Sequence, residues 1–268
     1  MENQLKDITA VVNHKGGVAK TSTVLSLAGG LLRRFRKTKV LVIDMDSQCN
    51  LSLLCGWDIT NTDLPTVYDA LKDETKIPVY KSERGIYYTP ASRKLKQVDL
   101  ELYRKMQPNT VLWECFGKGI DDRTGEGLED VTDFDYIILD CPPDLSTATY
   151  NAMAVASRIL IPMQLEPLSI NGLGPILIEQ EKVDRLLRNR QGQDVRILPV
   201  MTDQRTNIAR GYMEYLRDPE TFGDYLCKTY IRKDVKMGES QSRLMDIFTY
   251  APYSRVAIDY QNLIKELY

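Results

Sequence analysis

Residues 14–22, HKGGVAKTS, decide how the chain is to be read. A short apolar block, DITAVV (7–12), runs up to them, and a helical pattern over 20–36 follows. A strand, a turn with two glycines and a helix opening on Lys20 and Thr21 form the setting of a phosphate-binding loop. Gly16 and Gly17 let the backbone approach an anion closely. With Val18 and Ala19 they lead successive N–H groups to a helix N-terminus, whose dipole favours negative charge. Lys20 adds a point charge, and the Thr21 hydroxyl, with Ser22 beside it, can hold Mg²⁺. The usual loop has glycine at both ends of the G-x-x-x-x-G-K spacing, where this chain has His14 and Ala19. A methyl group at Ala19 is tolerable if that residue keeps a negative φ.

Further apolar blocks, KVLVID (39–44), YIILD (136–140), RILIPM (158–163) and VRILPV (195–200), alternate with helical patterns over 146–157, 169–190 and 206–217. That rhythm predicts an α/β fold: a doubly wound, mostly parallel sheet with helices on both faces, the ligand at the carboxyl ends of the strands. One domain over 1–268 is expected. Residues 78–90 supply one or two more strands. Residues 55–133 fit the rhythm less well: 55–116 reads as an inserted helical layer, and the glycine-rich, acidic 117–133 as an exposed mobile loop.

Composition narrows the function. The 268 residues are 43% hydrophobic, enough for one large core. Thirty-five Lys+Arg against 37 Asp+Glu leave a net charge of −2, so an anionic partner must be met by a local basic patch. Five cysteines (Cys49, Cys55, Cys115, Cys141, Cys227) with no C-x-x-C pair point to separate reduced thiols. His14 is the single histidine, which excludes histidine-based nucleophile systems elsewhere and multi-histidine metal sites. No signal peptide and no apolar run of roughly 20 residues is present, so a cytoplasmic protein is expected.

The pattern K-G-G-x-x-K-[ST] resembles the deviant phosphate loop of the ParA/MinD family of P-loop ATPases. VLVIDMDSQCNLS (40–52) resembles that family's D-x-D-P-Q-x-N-x-[ST] segment, with Ser47 in place of proline, and FDYIILDCPPDLS (134–146) its Walker B strand and switch, with Asp144 where small residues are common. LPVMTDQRT (198–206), YIRKDVKMGESQS (230–242) and the last helix resemble further family segments. The resemblance implies ATP and Mg²⁺ as cofactors. Lys20 would bind phosphate, Thr21 and Asp140 would hold the metal with Asp44 near it, Asp46 would orient the attacking water, and Met201 and Asp203 would lie near the adenine. Lys15 would reach the nucleotide of a second subunit in an ATP-dependent homodimer, offsetting charge as an arginine finger does.

Within the family the chain resembles partition ATPases. This implies non-specific DNA binding through Arg232, Lys233 and Lys236 with Arg205 and Arg210, nucleoid association, and hydrolysis that is slow and stimulated by a centromere-binding ParB-like protein. No N-terminal helix-turn-helix domain is expected, since the chain opens on its first strand. The alternative is a MinD-like membrane-cycling or protein-cluster positioning ATPase. The last helix carries Val256, Tyr260, Leu263, Ile264 and Leu267 on one stripe but mixes charge signs around it, which reads as a helix packed on its own core, so no membrane is expected as a partner.

Overall fold

The computed structural model describes residues 7–60, 63–117, 131–186 and 192–268. Among these, seven strands form one sheet: β1 (Asp7–Val11), β2 (Val40–Asp44), β3 (Tyr80–Lys81), β4 (Tyr87–Thr89), β5 (Tyr136–Asp140), β6 (Arg158–Met163) and β7 (Asp194–Pro199). Their order is β3-β4-β2-β5-β1-β6-β7. Every pairing is parallel except the hairpin of β3 and β4 at one edge.

The alternation of side chains along each strand explains why the apolar blocks are continuous. Ile8, Ala10, Leu41, Ile43, Ile137, Leu139, Ile159 and Ile161 feed one core. Val11, Val40, Val42, Ile138 and Leu160 feed a second core on the opposite face. Helices cover both. On the second face lie α1 (Lys20–Arg34), the short α2 (Asn50–Leu54) and, later in the chain, three C-terminal helices described below. The first face is covered by α3 (Val67–Asp73), α4 (Val98–Leu102), α5 (Val111–Gly117), α6 (Thr147–Val155), α7 (Pro167–Asn171), α8 (Leu173–Leu186) and α9 (Asn207–Arg217).

The structure adds detail to these expectations. The helical patterns of 55–116 become α3, α4 and α5, which share one core with α6 against the sheet. The helix read over 169–190 is broken at Gly172 into α7 and α8. A Cβ at Gly172 would come within 2.3 Å of the His14 ring, so a larger residue there would have to displace that side chain. The loop read at 117–133 lies, over 118–130, outside the described residues.

The C-terminal helices are α10 (Val235–Ser242), α11 (Ile247–Tyr250) and α12 (Arg255–Leu267). The stripe Val256, Tyr260, Leu263, Ile264 and Leu267 is buried in the second core against α1. Among the described residues no helix is long and apolar enough to cross a membrane. All five cysteines are buried and free of disulfides.

Candidate nucleotide site

β1, β2 and β5 end side by side, with Val11 and Asp44 both in register with Asp140. The loop after β1 therefore opens over the carboxylates that close β2 and β5. Gly17 adopts φ +74°, which glycine tolerates without strain. Ala19 has φ 60° and ψ 28°, the left-handed conformation rather than the negative φ that would suit its methyl group. That strain costs about 1–2 kcal/mol. Ala19 is also the N-cap of α1, and no side chain caps the helix. The first amides of α1 are thus left for a ligand, the arrangement that binds phosphate.

Lys20 is buried, and its Nζ donates to the carbonyls of Asn13 (2.9 Å) and Lys15 (3.0 Å). Burial lowers its pKa, opposed chiefly by Asp140. A lysine folded back on neutral carbonyls in this way can turn to an incoming phosphate without breaking an ion pair. The neighbouring Ser22 hydroxyl accepts from Gln241 Nε2 at 2.6 Å, which ties the loop helix to α10.

The acids divide the work. Asp140 is buried, and neither carboxylate oxygen has a hydrogen-bond partner of normal geometry. Burial, then Asp44, push its pKa up, while the nearby Thr21 hydroxyl and Lys20 pull it down. A buried carboxylate without partners is costly. A hard divalent cation that keeps most of its waters would satisfy it, with the Thr21 hydroxyl at hand, so the residues present fit Mg²⁺. Asp44 is also fully buried, but its oxygens are in use. Ser52 N and Oγ donate to Oδ2 at 2.8 and 2.6 Å, and Asp46 N donates to Oδ1 at 3.1 Å. Burial pushes the Asp44 carboxyl up to about 7. Asp44 thus anchors α2 and orients Asp46, which leaves Asp140 as the acid open to a metal. Asp46 accepts from Gln48 N at 2.9 Å. Desolvation raises its pKa, with Lys20 pulling it down and Asp144 pushing it up.

Lys15 does not point away from its own subunit. Its Nζ is paired with Glu166, and its backbone N–H donates to Asn13 Oδ1 at 2.9 Å. The lysine holds the Glu166 carboxyl below the usual range. Glu166 also lines a cleft of about 260 Å³ with Gln164, Met201, Asp203 and Lys233. Gln164 Nε2 lies 3.1 Å from Met201 Sδ and 3.5 Å from the Gly17 carbonyl oxygen, which joins this cleft to the phosphate loop. Met201 and Asp203 are thereby beside the loop, and so is Lys233. Asp203 forks with Arg205 (2.6 and 2.8 Å), which holds its carboxyl at about 2.

The remaining basic candidates are mostly engaged. Arg232 forks onto the buried Asp259 (2.7 and 2.9 Å), and Lys236 pairs with Glu239 at 2.8 Å. Arg210 is exposed and donates to Asn207.

Comparison with known proteins gives the family. An AAA domain family matches residues 6–197. The sporulation initiation inhibitor protein Soj of Bacillus subtilis is 32% identical over 97% of each chain. The chromosome partitioning protein ParA of Myxococcus xanthus is 31% identical over 97% of this chain and 87% of its own. The chain belongs to the ParA family of partition ATPases. A cobyrinic acid a,c-diamide synthase from Mycobacterium smegmatis, solved with an ATP analog and magnesium, has the same fold: TM-score 0.76, 24% identity, 97% of this chain and 93% of that one.

Some residues of this ParA-family site escaped the sequence reading. Asn13 is buried, donates to the Pro162 carbonyl at 2.8 Å and accepts from Lys15 N, so it splints β1, β6 and the loop. Its place directly before the loop was the available signal. Glu166 and Gln164 come from a distant strand end, and only the folded chain brings them to Lys15.

Proposed function

We propose that this chain binds ATP with Mg²⁺, dimerises on ATP, and binds DNA without sequence preference to drive plasmid or chromosome partition. A ParB-like partner would then stimulate slow hydrolysis and release the dimer from the nucleoid in the cytoplasm. The observation that carries the reading is the buried Asp140 carboxylate, without partners, beside Lys20 and the uncapped N-terminus of α1. The printed names of its relatives, a chromosome partitioning protein among them, support partition as the task.

Lys20 and the loop amides would bind the phosphates, while Thr21 and Asp140 would hold the metal, with Asp44 supporting Asp46 from behind. When bound, Mg²⁺ would offset charge on the phosphates during transfer. Asp46, made more basic by desolvation, would orient the attacking water and accept its proton. Met201 and Asp203 would flank the base. Lys15 would leave Glu166 to reach the nucleotide of the second subunit. A bilayer-bound cycle is disfavoured, because the apolar stripe of α12 is occupied by the protein's own core.

The test is binding to an arbitrary-sequence duplex with no nucleotide, ADP, ATP or a non-hydrolysable analogue, at two salt concentrations. Binding with ATP or the analogue alone, weakening steeply with salt, is expected. Asp46→Ala should retain that binding and lose hydrolysis. Duplex binding in no nucleotide state would refute the DNA reading and leave the ATP site standing.

A further inference from the structure

The cations expected to meet DNA differ in how much charge they can offer. Arg232, Lys236 and Arg205 are each already held by a carboxylate. A cation in an ion pair neutralises a phosphate only by giving up that partner, so it adds little to the counterion release that drives duplex binding.

A second basic surface has no such partners. At the far end of α1, RRFRK (33–37) leaves Arg33, Arg34, Arg36 and Lys37 all exposed, and among the described residues none of the four holds an ion pair. Asp135, next to the Tyr136 on which Phe35 packs, accepts from Lys39 N at 2.9 Å. The turn is pinned rather than loose: Arg34 lies 5.1 Å over the Phe35 ring, and Phe35 stacks on Tyr136 with centroids 6.1 Å apart. Cations in the last turn of a helix suit its dipole, which accounts for Arg33 and Arg34. It does not account for Arg36 and Lys37, which follow the helix. Lys37 has φ 68°, a left-handed conformation in which glycine would be less strained, yet a charge stands there. With 15 residues at about 1.5 Å rise, α1 carries this turn roughly 20 Å from the phosphate loop, to the end of the sheet where β5 begins.

We propose that the 33–37 turn is a phosphate-backbone contact for duplex DNA, separate from the surface around 205–236. This rests on the DNA-binding reading above and assigns it a surface. Three arginines suit the bidentate recognition of phosphate, and the apolar side chains of the turn, Leu32 and Phe35, are half-buried rather than free to enter a bilayer.

The experiment measures binding to an arbitrary-sequence duplex, with the non-hydrolysable ATP analogue, across a salt series. It compares wild type, a quadruple variant (R33Q, R34Q, R36Q, K37Q) and an Arg210→Gln, Lys233→Gln variant. The quadruple variant should lose about tenfold or more in affinity, and its log–log salt slope should shrink by about 3 to 4. Its affinity for the analogue should match wild type, which controls for folding. Lys37→Gly, relieved of strain, should melt no lower than wild type while losing about 1 from the slope. A wild-type slope and affinity in the quadruple variant, with binding lost in the Arg210/Lys233 variant, overturns this proposal alone. A wild type that binds no duplex in any nucleotide state overturns the DNA-binding reading with it. Binding to phosphatidylserine vesicles that the quadruple variant loses, with its duplex binding intact, overturns the proposal in favour of a membrane surface.

Discussion

Lys15 and Glu166 are paired within one subunit, so the lysine proposed to serve a second subunit is held at home in this conformation. The pair is half-exposed, and such pairs are worth about 0.2–1 kcal/mol. It therefore acts as a weak latch that dimer formation can open. Glu166→Gln should let the ATP-dependent dimer assemble at about two- to fivefold lower protein concentration, the factor such a pair can impose. Lys15→Ala should bind the ATP analogue and remain monomeric. Sedimentation at several concentrations reads both, and a Lys15→Ala protein that dimerises like wild type removes the trans role.

Ala19 offers a cheaper loop through a single change. Its left-handed backbone costs about 1–2 kcal/mol for a residue with a Cβ. Glycine would remove that strain but would lose about 0.4–1 kcal/mol through a more flexible unfolded chain. Ala19→Gly should therefore gain about 0.5–1 kcal/mol, a rise in Tm of roughly 1–4 °C for a chain of this size. Calorimetry without nucleotide checks it. An equal or lower Tm would mean that the methyl group's contacts outweigh the strain.

The phosphate loop, the central strands and the helices that follow them were legible because each depends on a local pattern. DITAVV into HKGGVAKTS needs only its own spacing to declare a strand, a turn and a helix. Asp140 was legible as an acid closing an apolar strand. The division of roles between Asp44 and Asp140 was not, because both close buried strands, and only the fold shows that Ser52 reaches one of them. Glu166 was hidden for a related reason: it lies 151 positions from Lys15. Ala19 could be flagged as unusual, but its φ is set by how the loop meets α1, which no spacing rule fixes. The basic stretches were legible only as charge. Arg232 and Arg36 both stand in basic runs of the sequence, and only the fold shows that Arg232 meets a carboxylate.

Asp140→Asn should trade function for stability, with a definite pH dependence. The carboxyl pKa of Asp140 is raised by burial, and that of its neighbour Asp44 reaches about 7. An acid whose pKa is raised on folding favours the folded state while protonated. Stability from this pair is therefore lost as pH rises from the ordinary carboxylate range near 4 towards 7. Without nucleotide or metal, Asp140→Asn should be more stable than wild type at pH 8 by about 1–3 kcal/mol, the cost of an unsatisfied buried group. The gap should close near pH 4. The same variant should lose the stabilisation that Mg²⁺ with nucleotide gives wild type. Melting curves from pH 4 to 8 decide, and a variant no more stable than wild type at pH 8 contradicts the argument.

Arg232→Ala separates a structural arginine from a DNA contact. Arg232 donates through its backbone N–H and through both arms of its guanidinium to Asp259, whose side chain is only 8% exposed while the arginine's is 36% exposed. Removing the arginine leaves a nearly buried carboxylate short of partners. A fully buried pair broken this way costs about 3–5 kcal/mol, and solvent reaching the guanidinium reduces that to about 1–3 kcal/mol here. Arg232→Lys should recover only part of the loss, since an ammonium cannot fork. The salt slope for duplex binding should stay that of wild type, because the charge of Arg232 is already met inside the fold. Urea melts and the salt series read the two effects independently. Wild-type stability with a slope smaller by about 1 would place Arg232 on the phosphate backbone instead.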